Sequence, residues 1–170
     1  MADVYSSTGL ETSARLNERM GKLADAEQRY KQILKRYGDG QGIATFYFRH
    51  ADTNPEYKRQ SDSIFGKYFP GGLEHYAPAA DQPPVDGVRI GAESPRTEAL
   101  GLSPENIVVA VNGYRVRNIQ QFMLASDTKL DPAIEYTWWN GKTYKSGTVS
   151  LPDHRLKCSI SNYRSGPPKN

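Results

Sequence analysis

Between residues 77 and 86 the chain reads APAADQPPVD, and this segment separates two different hydrophobic patterns. Proline neither continues a helix nor donates to a strand ladder, and the segment has no periodic apolar face, so it reads as a connector or surface loop. Before it, residues 10 to 37 contain no proline. Leu10, Ala14, Leu16, Met20, Leu23, Ala26, Tyr30, Ile33, Leu34 and Tyr37 recur there mostly at steps of three and four, the period of an amphipathic helix. After it, short runs rich in β-branched and aromatic residues alternate with turn dipeptides, the pattern of strands. The expected fold class is α+β, a helical half followed by a small β-rich half.

Gly21-Lys22 interrupts the first helical run and predicts a turn between antiparallel helices over about 8–20 and 23–37. Gly38-Asp39-Gly40 ends the second, because glycine accepts the left-handed backbone past a helix C-terminus. A second pair is expected over 43–51 and 55–69, with Asn54 as N-cap and Pro55 at the first helical position. Pro70-Gly71-Gly72 stops it. Strands are predicted at 88–90, 107–111, 134–139 and 145–151, with a last one at 155–160 whose Leu156, Cys158 and Ile160 face one way. A helix capped by Asn118 interrupts them. Asn112-Gly113 and Asn140-Gly141 read as turns. The domain plan is therefore 1–70 helical hairpins, 71–86 connector, 87–163 β-rich domain and 164–170 flexible tail.

Composition narrows the function classes. The 170 residues suffice for one ordinary domain or two small ones. The single cysteine, Cys158, forms no internal disulfide, and with three scattered histidines it makes no zinc site. No run of about 18 apolar residues occurs, so no membrane span is expected. The N-terminus has no basic start followed by an apolar core, so no secretory signal is expected and the location reads as cytoplasmic. A net charge of +3 is a weak pointer to nucleic acid or anionic lipid.

Two stretches resemble known families. Leu10, Ala14, Gly21, Ala26, Tyr30 and Ile33 fall at the packing positions of a tetratricopeptide repeat, in degenerate form. The β-rich half, over about 85–152, resembles a bacterial PDZ domain. The residues that carry the likeness are Val88–Ile90, Ser94-Pro95, Ala99, Gly101-Leu102, Ile107, Val109, Val111, Asn112-Gly113 and Val116, followed by the helix from Asn118 and the hairpin through Asn140-Gly141. The resemblance implies helical hairpins packed on a PDZ-like antiparallel β-sandwich or partial barrel with one or two helices. It also implies a groove in which an extended peptide adds to a strand edge. Glu105-Asn106 replaces the family's usual Gly-Asp turn. The family's carboxylate-binding loop has one candidate, Gly71-Gly72-Leu73-Glu74, whose fourth position is acidic instead of apolar, and 155–160 is the alternative source of the groove strand.

The candidate peptide-binding residues are thus Gly71, Gly72 and Leu73 at the loop and Ile119, Gln120, Phe122 and Met123 on the helix wall. Gln121 reads as exposed on pattern. Trp138-Trp139 on one strand should point to opposite faces, one indole in the core and the other partly exposed. Enzyme readings find little support. The serines lack a glycine-elbow context, no phosphate-cradling glycine motif is present, and Asp153, His154 and Cys158 are too close in sequence to converge as a catalytic set. No catalytic residue, metal ligand or cofactor is assigned. Basic clusters at Arg29, Lys31, Lys35, Arg36 and at Arg155, Lys157, Arg164, Lys169, interleaved with tyrosines, are a lesser pointer to nucleic acid.

The expected function is a non-enzymatic interaction module that binds a protein or peptide partner, with further domains of a longer chain as possible neighbours. The alternatives are a regulatory domain of a larger protease or other enzyme, and a basic nucleic-acid-binding adaptor.

Overall fold

The structure is a computed structural model and describes residues 7–77 and 81–166. The middle of the proline-rich connector, at 78–80, and the end of the expected tail, at 167–170, lie outside the described residues. The chain divides into two compact units, Met1–Pro70 and Gly71–Asn170.

Among the described residues the first unit holds four helices, α1 (Ser7–Arg19), α2 (Leu23–Tyr37), α3 (Gln41–Arg49) and α4 (Pro55–Tyr68). Their ends follow from local chemistry. Gly21 turns the chain at φ +72°, and Gly38 takes a left-handed φ of 70° while its N–H reaches the Leu34 carbonyl at 2.9 Å. Asn54 accepts from the Glu56 N–H at 2.9 Å, with Pro55 at the first helical position. Leu10, Ala14, Ala26, Tyr30, Ile33, Ile43, Phe46 and Tyr47 form the core. Ala14 and Ala26 are fully buried, and their small side chains let the helices approach closely. Leu16, Met20, Leu34 and Tyr37 stay exposed although the apolar period includes them.

A buried polar cluster in this core was not expected. Glu18, with no exposed side-chain surface, accepts from Arg49 Nε at 2.7 Å and Nη2 at 2.8 Å, and from the Tyr30 hydroxyl at 2.9 Å. His50 Nε2 lies 2.8 Å from the same carboxylate. Glu27 likewise accepts from the hydroxyls of Tyr47 and Tyr57, each at 3.0 Å, and pairs with Lys31. These bonds push the Tyr47 hydroxyl, already raised by burial, up to about 12.

Among the described residues the second unit is an open antiparallel sheet of six strands with two helices. Its elements are β1 (Asp86–Ile90), α5 (Pro95–Glu98), β2 (Ile107–Val111), β3 (Tyr114–Arg115), α6 (Ile119–Ser126), β4 (Ala133–Trp139), β5 (Tyr144–Ser150) and β6 (Ile160–Arg164). The path is β5-β4-β2-β1-β6, with β3 beside β2. All of β2 is buried, as expected for a central strand covered on both faces. A bulge at Val109 shifts its register against β4. One face carries the main core of Val88, Ile90, Val108, Val111, Phe122, Tyr136 and Trp138. On the other, Ile107, Val109 and Trp139 pack with Tyr76, Tyr144 and Tyr163.

That second apolar face corrects one expectation. Trp138 and Trp139 do point to opposite faces, but both are buried, because tyrosines cover the far side. The last strand is also displaced. Residues 155–159 are a loop, with His154 at φ 55° and Lys157 at φ 52°, and pairing with β1 begins only at Ile160. Arg164, assigned to the tail, pairs with Asp86 as the last residue of β6.

Candidate functional site

At the end of its path the sheet presents β6 as an edge strand, and α6 lies beside it. Sequence fixes α6 at both ends. Asn118 caps it by accepting from the Gln121 N–H at 2.9 Å, and the Ile119 N–H donates to Asn162 Oδ1 of β6 at 2.8 Å. At the other end Asn112 Nδ2 donates to the Ala125 carbonyl at 2.9 Å. Asn112 can do so because it sits with Gly113 in a turn where both residues have positive φ, 51° and 80°.

The register of β6 on β1 pairs Ile160 with Ile90 and Ser161 with Arg89, and the Gly91 N–H donates to the Ser159 carbonyl at 2.8 Å. In an antiparallel ladder this turns Ser161 and Tyr163 toward β1 and leaves the N–H and C=O groups of Ile160, Asn162 and Arg164 facing outward. Ser161, Asn162 and Arg164 are exposed. A cavity of about 350 Å³ lies between this edge and α6, lined by Phe122, Met123, His154, Arg155, Leu156, Lys157, Cys158 and Ile160.

The loop 151–159 that closes one end of the cavity is tied down from two sides. Ser94 Oγ, which caps α5, donates to the Leu156 carbonyl at 3.0 Å, and Arg96 bonds both Asp153 and the Arg155 carbonyl. Lys157 pairs with Asp153 at 3.1 Å. Burial raises a carboxyl, but bonds from Arg96, Lys157 and the Arg155 N–H outweigh it and hold Asp153 down at about 2. From α6, Asp127 takes His154 Nδ1 at 2.9 Å and Arg155 Nη1 at 3.2 Å. His154 is 1% exposed. Its Nε2, on the ring edge away from Asp127, is buried and has no hydrogen-bond partner among the described residues. Burial pushes the Cys158 thiol up, away from the reactive thiolate.

The structure brings together only part of the expected site. Phe122 and Met123 line the cavity. Ile119 packs at the start of α6 and Gln120 is exposed, and neither lines it. Gln121, read as exposed, is buried, with its Oε1 accepting from the Arg117 N–H at 2.8 Å. Gly71, Gly72 and Leu73 are not among the lining residues. Both glycines take positive φ, 90° and 92°, after α4, and the chain then runs along β3, with the Arg115 N–H donating to the Glu74 carbonyl and the Tyr76 N–H to Gly113. Glu74 itself pairs with Arg117 at 2.7 Å. His154 was missed as a lining residue because its acid partner, Asp127, lies 27 positions away in sequence and not beside it at Asp153.

On the other face of the sheet a second cavity of about 290 Å³ is lined by His75, Tyr76, Pro83, Pro84, Arg115 and Tyr144, among others. Its cation is spent internally, since Arg115 bonds Asp86 and the carbonyls of Val109 and Val116. In the two basic clusters, Lys31 pairs with Glu27, Arg155 with Asp127 and Lys157 with Asp153. Among the described residues no three His, Cys, Asp or Glu side chains are grouped to hold a metal, and no helix is long and apolar enough to cross a membrane. Comparison with protein-family models, curated proteins and solved structures gave no match.

Proposed function

We propose that the second unit is an interaction module of PDZ-like type that binds an extended segment of a partner protein by strand addition to β6, with α6 as the opposite wall. The observation that carries this reading is an exposed sheet edge beside a helix, with an apolar cavity between them. Main-chain bonds to Ile160, Asn162 and Arg164 would supply affinity, and the cavity would take one side chain of the ligand. The groove strand in this reading comes from the C-terminal segment, not from the glycines after α4. The loop 151–159 stands at the end of the groove, and its positive-φ residues and internal ion pairs hold it in one shape.

The test is selection of extended peptides from a display library against the full chain, followed by titration of the enriched sequences. Saturable binding is expected, and Met123→Trp, which fills the cavity from the helix side, should weaken it at least ~10-fold without lowering the melting temperature, since a well-packed anchor contributes on the order of 2 kcal/mol. Equal affinity in the Met123→Trp protein would place the ligand elsewhere.

A further inference from the structure

The sheet has a second open end, at β5, and among the described residues no strand pairs with its outer side. β5 runs beside β4 without a bulge, from Tyr144 opposite Trp139 to Ser150 opposite Ala133. Beyond the two ends of this pairing, the Asn140 N–H donates to the Thr143 carbonyl and the Leu151 N–H to the Pro132 carbonyl, which fixes the alternation of the ladder. Lys145, Gly147 and Val149 therefore turn their N–H and C=O groups to β4, and Tyr144, Ser146, Thr148 and Ser150 turn theirs outward. Ser146, Thr148 and Ser150 are exposed. We infer that this edge joins two copies of the chain. β5 pairs antiparallel with β5 of a second copy about a two-fold axis at Gly147, and the two sheets become one.

A free strand edge is ordinarily protected by proline, a bulge, short length or several charges. β5 has no proline and no bulge, and with β4 it is the longest strand among the described residues. Its one charged residue is Lys145. The occupant follows from the register. A strand that pairs with itself about a two-fold must meet its own sequence in reverse. The register centred on Gly147 engages every outward residue, Tyr144 with Ser150 and Ser146 with Thr148, each pair twice. It also sets Lys145 opposite Val149 of the other copy, where the lysine stem covers apolar surface. The two lysines then stand about 14 Å apart along the strands, beyond the screening length of about 8 Å at physiological salt. The two glycines meet at the axis in a non-hydrogen-bonded position, where facing Cα atoms come to about 4.5 Å and side chains crowd most. Gly147 brings no side chain there. A Cβ added to it would lie 3.2 Å from Leu100 Cδ2 and 3.3 Å from the Trp138 ring, so each copy carries a half-buried leucine to the axis on the core face. On the other face Ser146 and Thr148 form a row of short hydroxyl side chains suited to cross-strand hydrogen bonds.

Sedimentation of the full chain, from micromolar to millimolar concentration, is the test. The mass should double and then stay level, because a two-fold contact closes on itself. Thr148→Pro removes one outward N–H and leaves the bonds to β4 in place. The two-fold repeats that loss, so the dimer should weaken at least about tenfold. Should the variant fail to fold, amide exchange on the wild type decides. Ser146, Thr148 and Ser150 should gain protection as concentration rises, while Lys145, Gly147 and Val149 stay protected throughout. A chain that remains monomeric would overturn the inference. So would a mass that climbs past two copies, the mark of β5 meeting a different edge in an open chain of contacts, or a dimer that Thr148→Pro leaves intact and whose protection falls elsewhere. Each of these results leaves strand addition at β6 standing, since that reading rests on the opposite end of the sheet.

Discussion

Glu18 shows how much one side chain can carry. Its carboxylate meets Arg49, Tyr30 and His50 inside the helical core, where water cannot replace a lost partner. Removing one member of such a pair leaves an uncompensated buried charge, which costs about 3–5 kcal/mol. Glu18→Ala should therefore lower the unfolding free energy by about that much in a denaturant titration. Asp62, whose ion pair with Lys58 is exposed on both sides, is the control, and Asp62→Ala should cost no more than about 1 kcal/mol. Equal losses for the two variants would show that the cluster is not the buried unit described. None of this was visible in sequence. Glu18, Arg49 and His50 sit on predicted helices as ordinary polar residues, and only the packing of α1 against α2 and α3 brings them together.

At the scale of elements, helices were read best. The period of three and four, the glycines at 21 and 38 and the Asn-Pro step at 54–55 placed α1 to α4 to within two residues of the observed ends. The central strands were equally legible, because β2 is an unbroken apolar run. The C-terminal segment was not. Leu156, Cys158 and Ile160 alternate as a strand would, and all three do turn to the core, but His154 and Lys157 take left-handed backbone conformations that no strand tolerates. What decides the matter is tertiary, the grip of Asp127, Ser94 and Arg96 on the loop. The segment 155–160, offered by the sequence as an alternative groove strand, thus joins the sheet only from Ile160 onward.

That grip has a pH signature. Asp153 titrates at about 2 in the folded protein, below the ordinary carboxyl value of about 4, so its contribution to stability is complete above about pH 4 and is lost as pH falls through about 2. Asp153 is more than one-third exposed, so the effect is modest. Wild type should melt above Asp153→Asn at about pH 5, and the gap should close toward about pH 2. A gap that stays constant over this range would mean that Asp153 does not hold the loop through its charge.

For the whole molecule, the question is what an open sheet does with its ends. An unpaired edge is a hazard that proteins cover, charge or use. Here β6 is flanked by α6 and a cavity, and the account holds that a partner's strand completes the sheet there. Amide hydrogen exchange, measured with and without a peptide selected on the full chain, tests this most directly. The account predicts new protection at Ile160, Asn162 and Arg164, whose N–H groups face outward, with little change at Ser161 and Tyr163, which already pair with β1. Protection confined to the helical unit, or bound peptide with no alternating change along β6, would contradict it.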